Sequence, residues 1–380
     1  TRSHAEAAEM DADPKWRDIS GNIVFPGFTA PKVEWVRRNE PHIFDRIDKV
    51  LLPKDFLRFW LTGEALSDMS DAAGTSWLDP GARDWSDALL ATSGLDRSHM
   101  PGLQEGTAAA GTLRPELARR WGMRDGVVVA GGSGDNAASA IGMGVQAEGD
   151  AFVSLGTSGV LFVANDRYRP SPATAVHSFC HALPGTWHQM GVILSATDAL
   201  NWYAGLLEAT PTALTAELSA LQAPGKSLFL PYLGGERTPL NSASVRGAFF
   251  GLEHATDRDA ATRAVLEGVT FALRACRDAI ADTGTSLTHL LAVGGGSRSD
   301  YWLSAIATAL NVPVSRAASG EAGAALGAAR LGAVAATGSR DLITRPDIAL
   351  TFDPDAALTD AFDAGYARYA QASQAILELT

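Results

Sequence analysis

The chain has 380 residues, 46% hydrophobic and 19% charged, a globular mix that excludes wholesale disorder and is long enough for two domains. Its formal net charge is −12 and no cluster of five or more Lys or Arg occurs, which excludes a surface that wraps DNA or RNA. No run approaches ~20 consecutive apolar residues, and two cysteines, Cys180 and Cys276, make no disulfide framework, so the expectation is a cytoplasmic protein with no membrane span.

The opening Thr1–Met10 is polar, lacks the apolar stretch of a secretory signal and does not begin with Met. The first 25 or so positions carry no clear period. Pro31 suits a helix start, with Val33 and Val36 spaced for one face. Residues 43–61 read as helical on both sides of Pro53, with a short strand at Val50–Leu52, and 68–86 read as loop. Leu113–Trp121 reads as a short helix. Gly126–Ala130 reads as a short buried strand, which enters Gly131-Gly132-Ser133-Gly134-Asp135-Asn136 and then a small-residue helix to Gly144. Ala151–Ser154, the turn Leu155-Gly156-Thr157-Ser158-Gly159 and Val160–Val163 form a hairpin. A domain boundary is placed at 145–150, giving domains 1–147 and 148–380.

The second half alternates: a helix at Ser195–Leu207, a strand at Ser227–Leu230, an irregular Gly234–Pro239 and a long helix at 259–281. A strand at Leu290–Val293 enters Gly294-Gly295-Gly296-Ser297, followed by a helix to Leu310, a strand at 312–315 and an Ala/Gly-rich helix at 321–335. Phe362, Tyr366, Tyr369 and Ile376 mark a last amphipathic helix. Strands alternating with helices predict an α/β fold.

Three glycine-rich turns leave strands, at 131–134, 156–159 and 294–297. Glycine lets backbone N–H groups converge on an anion, so the set points to a nucleotide site. None fits the P-loop pattern, and none has the acidic residue that a dinucleotide site needs downstream. Asp135 reads in two ways: as the N-cap of the following helix, or as a general base that takes a proton from an attacking hydroxyl, with Asn136 hydrogen-bonding the same substrate. Gly156, Thr157 and Ser158 can offer N–H and O–H donors to a phosphoryl group, or form a plain hairpin turn. Gly295, Gly296, Ser297 and Arg298 can pack against a nucleoside, or Ser297 or Ser299 can cap a helix. His177, Cys180, His181 and His188 are read as packing residues and no metal site is expected, because neighbours on a strand point to opposite faces. Trp35, Trp60, Trp77 and Trp85 are likewise read as packing residues, and Cys276 as core.

Gly27–Asn39 (GFTAPKVEWVRRN) fits the first signature of the FGGY family of carbohydrate kinases, and the chain resembles that family over nearly its whole length. The runs VLLPKDFLR (50–58), SDMSDAAGTSWLD (67–79), AVHSFCHALPGTWH (175–188), FLPYLGGERTP (229–239) and RAVLEGV (263–269) resemble its branch acting on D-xylulose. The second signature, Gly247–Glu267, matches except at Ala260 and Ala261. The Asp-x-Gly-Thr-Ser, Gln-Met-His-Gly and Trp-Asn-Asp segments with which family members begin are absent, so by analogy the first domain is incomplete and the chain as given can be an inactive fragment.

The resemblance implies two actin-like, ribonuclease-H-like α/β domains around a cleft, and ATP-dependent phosphorylation of D-xylulose at its 5-hydroxyl, with Mg²⁺. It implies Asp135 as the catalytic aspartate, Gly156 and Thr157 as the phosphate hairpin, and Gly294, Gly295, Gly296 and Ser297 as the adenosine turn. It leaves open other acceptors (ribulose, xylitol, glycerol) and a non-catalytic actin-like binding protein. Kinases of this kind are often homodimers, and nothing in the sequence requires it.

Overall fold

The computed structural model describes residues 2–218, 220–318 and 323–379. Seven strands build its main sheet: β1 (Asp150–Leu155), β2 (Gly159–Asn165), β3 (His177–Cys180), β4 (Trp187–Ile193), β5 (His289–Val293), β6 (Val314–Ala317) and β7 (Ile348–Phe352). Their spatial order is β7-β6-β5-β1-β2-β4-β3. β5 runs parallel to both β1 and β6, and the other pairs are antiparallel. β1 and β2 form the expected hairpin, with Leu155 opposite Gly159.

This sheet is a wall shared by two cores. Val153, Leu155, Leu161 and Val163 face a core built with the helices Arg258–Ala281 and Asp300–Leu310. Their alternate neighbours Phe152, Phe162 and Ala164 face a second core containing Trp16, Trp77, Leu89 and Leu90 from the first half of the chain. The two-residue period of a strand thus sorts one hairpin between two cores. Both faces are covered, which is why the strands read as nearly continuous apolar runs.

Several expectations are corrected. The opening is not aperiodic coil: helices span His4–Asp11 and Pro14–Ser20, the second started by Pro14 with the Asp13 carboxylate accepting from Lys15 N–H. Val50–Leu52 is not a strand; the Val50 N–H binds the His99 carbonyl (2.9 Å) and Pro53 opens the helix Pro53–Thr62. Residues 68–86 contain a helical turn, Met69–Ala72, and a minute hairpin, Leu78–Asp79 with Asp84–Trp85. The strand before the aspartate turn is Val128–Ala130, half-buried rather than buried, paired with Ala109–Thr112. Trp60 is 45% exposed and meets Trp121 at 6.1 Å, whereas Trp77 and Trp85 are buried as expected. The Ala/Gly-rich helix spans Ala324–Thr337, and positions 321 and 322 of the expected span lie outside the described residues. The last helix, Thr359–Leu377, buries Phe362 and Tyr369.

Candidate active site

The glycine turns at 156 and 294 come together. Gly294 has φ +89°, and a side chain there would place a Cβ 2.7 Å from the Leu155 carbonyl oxygen. A Cβ on Gly296 would meet Leu155 Cβ at 2.8 Å and the Trp302 ring at 2.9 Å. The parallel pairing of β5 with β1 brings the C-terminal ends of both strands level, so the turns that leave them touch. The helix Thr197–Leu206 closes the third side: the Gly156 carbonyl accepts from Thr197 N–H (2.9 Å) and its hydroxyl (2.7 Å), and the Thr157 carbonyl accepts from Ala196 N–H (2.8 Å). Thr157 and Ser158 are left exposed at the tip.

Beside these turns lies a pocket of about 420 Å³, lined by Gly295, Gly296, Arg298, Ser299 and Trp302 on one wall and by Thr197, Leu200, Asn201 and Thr212 on the other. Thr197, Asn201, Thr212 and Trp302 carried no motif and are found only through the fold. The capping alternatives separate cleanly. Ser299 is the N-cap, accepting from Trp302 N–H (3.3 Å). Ser297 is buried and donates to the Gly294 carbonyl (2.7 Å), bracing the turn from within.

Asp135 is not the N-cap of its helix. Gly134 holds that position and Asp135 is the first helical residue. Its Oδ1 accepts from Asn136 N–H (2.7 Å) and from the Asn136 amide (3.1 Å), and the side chain is exposed. The carboxylate thus stands at a helix N-terminus, where the dipole stabilises negative charge. The structure brings Asp135 and Asn136 together; no described hydrogen bond joins either to the two glycine turns. The helix Asp135–Gly142 packs backbone to backbone on Ala324–Thr337, since a Cβ on Gly327 would lie 1.7 Å from the Ala138 carbonyl oxygen. Arg330 spans the same seam, donating to the carbonyls of Ile141 (3.0 Å) and Gly142 (2.8 Å) at that helix's C-terminus.

Under the aspartate turn lies a buried ionic cluster that joins the helix Pro53–Thr62 to Asp68 and Asp71 of the stretch that reads as loop in the sequence. Lys54 Nζ sits 2.5 Å from both Asp55 Oδ1 and Asp68 Oδ2, and 3.5 Å from Asp71 Oδ2. Arg58 pairs with Asp55 (2.7 Å) and donates to the Gly131 carbonyl. Burial, with the charges of Asp68 and Asp55, pushes the Asp71 carboxyl up to about 6, partly offset by Lys54.

The histidines and Cys180 behave as packing residues. Burial lowers His177 and His181 to about 3, His188 stacks on Phe162 at 4.4 Å, and burial pushes the Cys180 thiol up to about 12. Among the described residues no group of three or more His, Cys, Asp or Glu could hold a metal ion.

The sequence matches the FGGY family of carbohydrate kinases, N-terminal domain, over residues 2–142 and the same family's C-terminal domain over residues 151–336. It is 49% identical to a xylulose kinase of Escherichia coli strain K12 over 332 residues, covering 87% of this chain and 68% of that protein. It is 49% identical to a xylulose kinase of Klebsiella pneumoniae over 321 residues, covering 84% of this chain and 66% of that one. The chain thus spans about two thirds of the length of these curated relatives. The crystal structure of a xyloylose kinase from Brucella ovis superposes with a TM-score of 0.98 at 62% identity, covering all of this chain and 79% of that one.

Proposed function

The chain belongs to the FGGY family of carbohydrate kinases, and from that premise we propose that the protein it represents transfers the γ-phosphoryl group of Mg-ATP to the 5-hydroxyl of D-xylulose. The observation that carries this reading is the pairing of the Gly156 and Gly294 turns beside a 420 Å³ pocket, combined with an exposed carboxylate at a helix start on the partner domain.

In the proposed reaction Asp135 accepts the hydroxyl proton through the oxygen that Asn136 leaves unengaged. The sugar oxygen bonds to the γ-phosphorus as the bond to the β-phosphate bridging oxygen breaks, and ADP leaves. Asn136 holds a neighbouring sugar hydroxyl. Gly156, Thr157 and Ser158 face the transferring phosphates with backbone N–H and side-chain O–H donors. Gly294, Gly295 and Gly296 let the nucleoside approach the backbone, while Ser297 stiffens their turn and Trp302 walls the pocket. This is a chemistry of positioning and charge stabilisation, which suits preformed turns on rigid strands. Mg²⁺ bound with the nucleotide would supply charge neutralisation on the phosphate side of the pocket, next to Thr157 and Ser158.

We place the two domains at 1–147 and 148–380, and the reaction in the cytoplasm, where the buried free thiols of Cys180 and Cys276 would stay reduced. The test is ADP release by the polypeptide as the cell makes it, with Mg-ATP and D-xylulose, ribulose, xylitol or glycerol in parallel. Release that depends on D-xylulose and is weaker with the other three supports the proposal. Preference for another acceptor reassigns the substrate, and ATP binding without acceptor-dependent release overturns the kinase reading.

A further inference from the structure

The turn that presents Asp135 is pinned at both ends by the ionic cluster beneath it. At its start, Arg58 donates to the Gly131 carbonyl and also to the Leu66 carbonyl, while its pairing with Asp55 Oδ1 (2.7 Å) fixes the guanidinium. Asp55 is fully buried and its second oxygen accepts from Ser67 Oγ (2.7 Å). At the other end, the Gly134 N–H donates to Ser70 Oγ (3.0 Å), a contact that spans 64 residues of sequence. Ser70 is 4% exposed and its hydroxyl proton is committed to Asp68 Oδ1 (2.6 Å), so toward Gly134 it acts as an acceptor. Asp68, fully buried, also accepts from the Ser70 and Asp71 N–H groups (2.9 and 3.0 Å) and meets Lys54 at 2.5 Å through its other oxygen. The seating is close: a Cβ on Gly134 would stand 3.3 Å from Asp71 Oδ1.

From this chain of contacts we infer that Ser70, oriented by Asp68 and Lys54, is the positioning residue that sets where Asp135 stands. Gly134 is the N-cap of the aspartate helix, so a shift of its N–H moves the first helical residue with it. Asp135 is exposed, and its only described hydrogen-bond partner is its own neighbour Asn136. Among the described residues no side chain from elsewhere therefore holds the carboxylate, and its position is inherited from the turn and the helix that the turn opens. Ser70 reaches the reacting atoms only through Gly134 and Asp135. The inference deepens the kinase reading above and rests on it for its kinetic consequence, while the geometric link from Ser70 to the helix start stands apart from it.

The test compares wild type, Ser70→Ala and Ser70→Thr, each also in an Asp135→Asn background, in the polypeptide as the cell makes it. Ser70→Ala is expected to lower kcat for acceptor-dependent ADP release by about tenfold or more, with the KM for ATP changed by less than about twofold. Ser70→Thr, which keeps the hydroxyl, is expected to restore most of the loss. In the Asp135→Asn background Ser70→Ala should add almost nothing, because both changes act through one carboxylate. A folded Ser70→Ala protein with wild-type kcat, or an equal loss with and without Asp135, would overturn the inference. If Ser70→Ala does not fold, the nearly isosteric Ser70→Cys takes its place. Hydrogen exchange of the backbone over 131–138 separates the two readings. Faster exchange in Ser70→Ala supports the link even if no acceptor is phosphorylated by wild type, and unchanged exchange contradicts it.

Discussion

The aspartate turn and the paired turns at 156 and 294 are all glycine-rich, yet only the first is tied down by side chains from a charged cluster. Gly131–Gly134 is backed by the Glu105–Gly106 backbone, where a Cβ on Gly131 would lie 2.3 Å from the Glu105 carbonyl oxygen, and is tied besides by the side chains of Arg58 and Ser70, which belong to a buried cluster of like and unlike charges. At Gly294 backbone presses on the Leu155 backbone and the lack of a Cβ is itself the contact, while the Gly156 turn is held by hydrogen bonds from Thr197 and Ala196. The first is therefore sensitive to single hydrogen bonds and to charge. The second is sensitive to volume at Gly294, since close-packed backbone has nowhere to move. On the proposed reading, a site built this way would set its base and its phosphate cradle independently.

The sharpest way to break that comparison is at the base. Asp135→Asn removes a proton acceptor from an exposed side chain with no packing role, so kcat is expected to fall by about 10²–10⁴-fold while the melting temperature hardly moves. Steady-state kinetics beside calorimetric melting measures both. Next in size is Gly294→Ala, where positive φ and the 2.7 Å approach to the Leu155 carbonyl combine. We expect ATP affinity to drop about tenfold and stability to fall by about 1–3 kcal/mol, seen by titration calorimetry and denaturant melts.

Gly156→Ala is the control. Its nearest neighbour to a new Cβ is the Ser158 carbonyl oxygen at 3.5 Å, so a change of less than about twofold in affinity is expected. Equal losses at 156 and 294 would erase the claim that volume, rather than glycine content, makes Gly294 necessary.

A separate effect is in pH. The Glu236 carboxyl is buried, with Oε1 accepting from the N–H groups of Leu194 (2.9 Å) and Arg237 (2.8 Å) and Oε2 unpartnered among the described residues. Burial pushes it up to about 7 from an ordinary 4.5, against the lowering effect of those N–H groups. The native state thus keeps a proton that the unfolded chain has lost, and stability falls as pH rises from about 4.5 to about 7. Glu236→Gln keeps the accepting oxygen and removes the charge, so it should flatten that slope by on the order of 2 kcal/mol between pH 5 and 8. Part of the slope should persist, because burial raises Glu267 to about 7 and Asp71 to about 6. An unchanged slope in denaturant melts across that range would contradict the assignment.

The contrast also explains what could be read from the sequence. The hairpin around Gly156 and the strand entering Gly294 were legible because β-period and glycine turns are local signals. Asp135 was legible as a residue of interest for the same reason, although its capping role was misplaced by one position. The cluster beneath it was not. Asp68, Ser70 and Asp71 sit in a stretch whose short helix and minute hairpin leave no period, and Ser70 meets Gly134 only through the fold. The opening helices escaped because His4–Asp11 buries Glu6 beside Ala7 and Met10, so polarity does not track burial there. β7 escaped because it lies at the sheet edge with four of its five residues exposed, where apolar content gives no burial pattern.

The most direct test of the central claim separates holding the nucleotide from using it. ATP is titrated into Asp135→Asn by calorimetry, and D-xylulose-dependent ADP release is measured on the same sample. The account predicts wild-type ATP affinity, within about twofold, together with loss of phosphoryl transfer. Retained transfer, or affinity and transfer lost together, would contradict it.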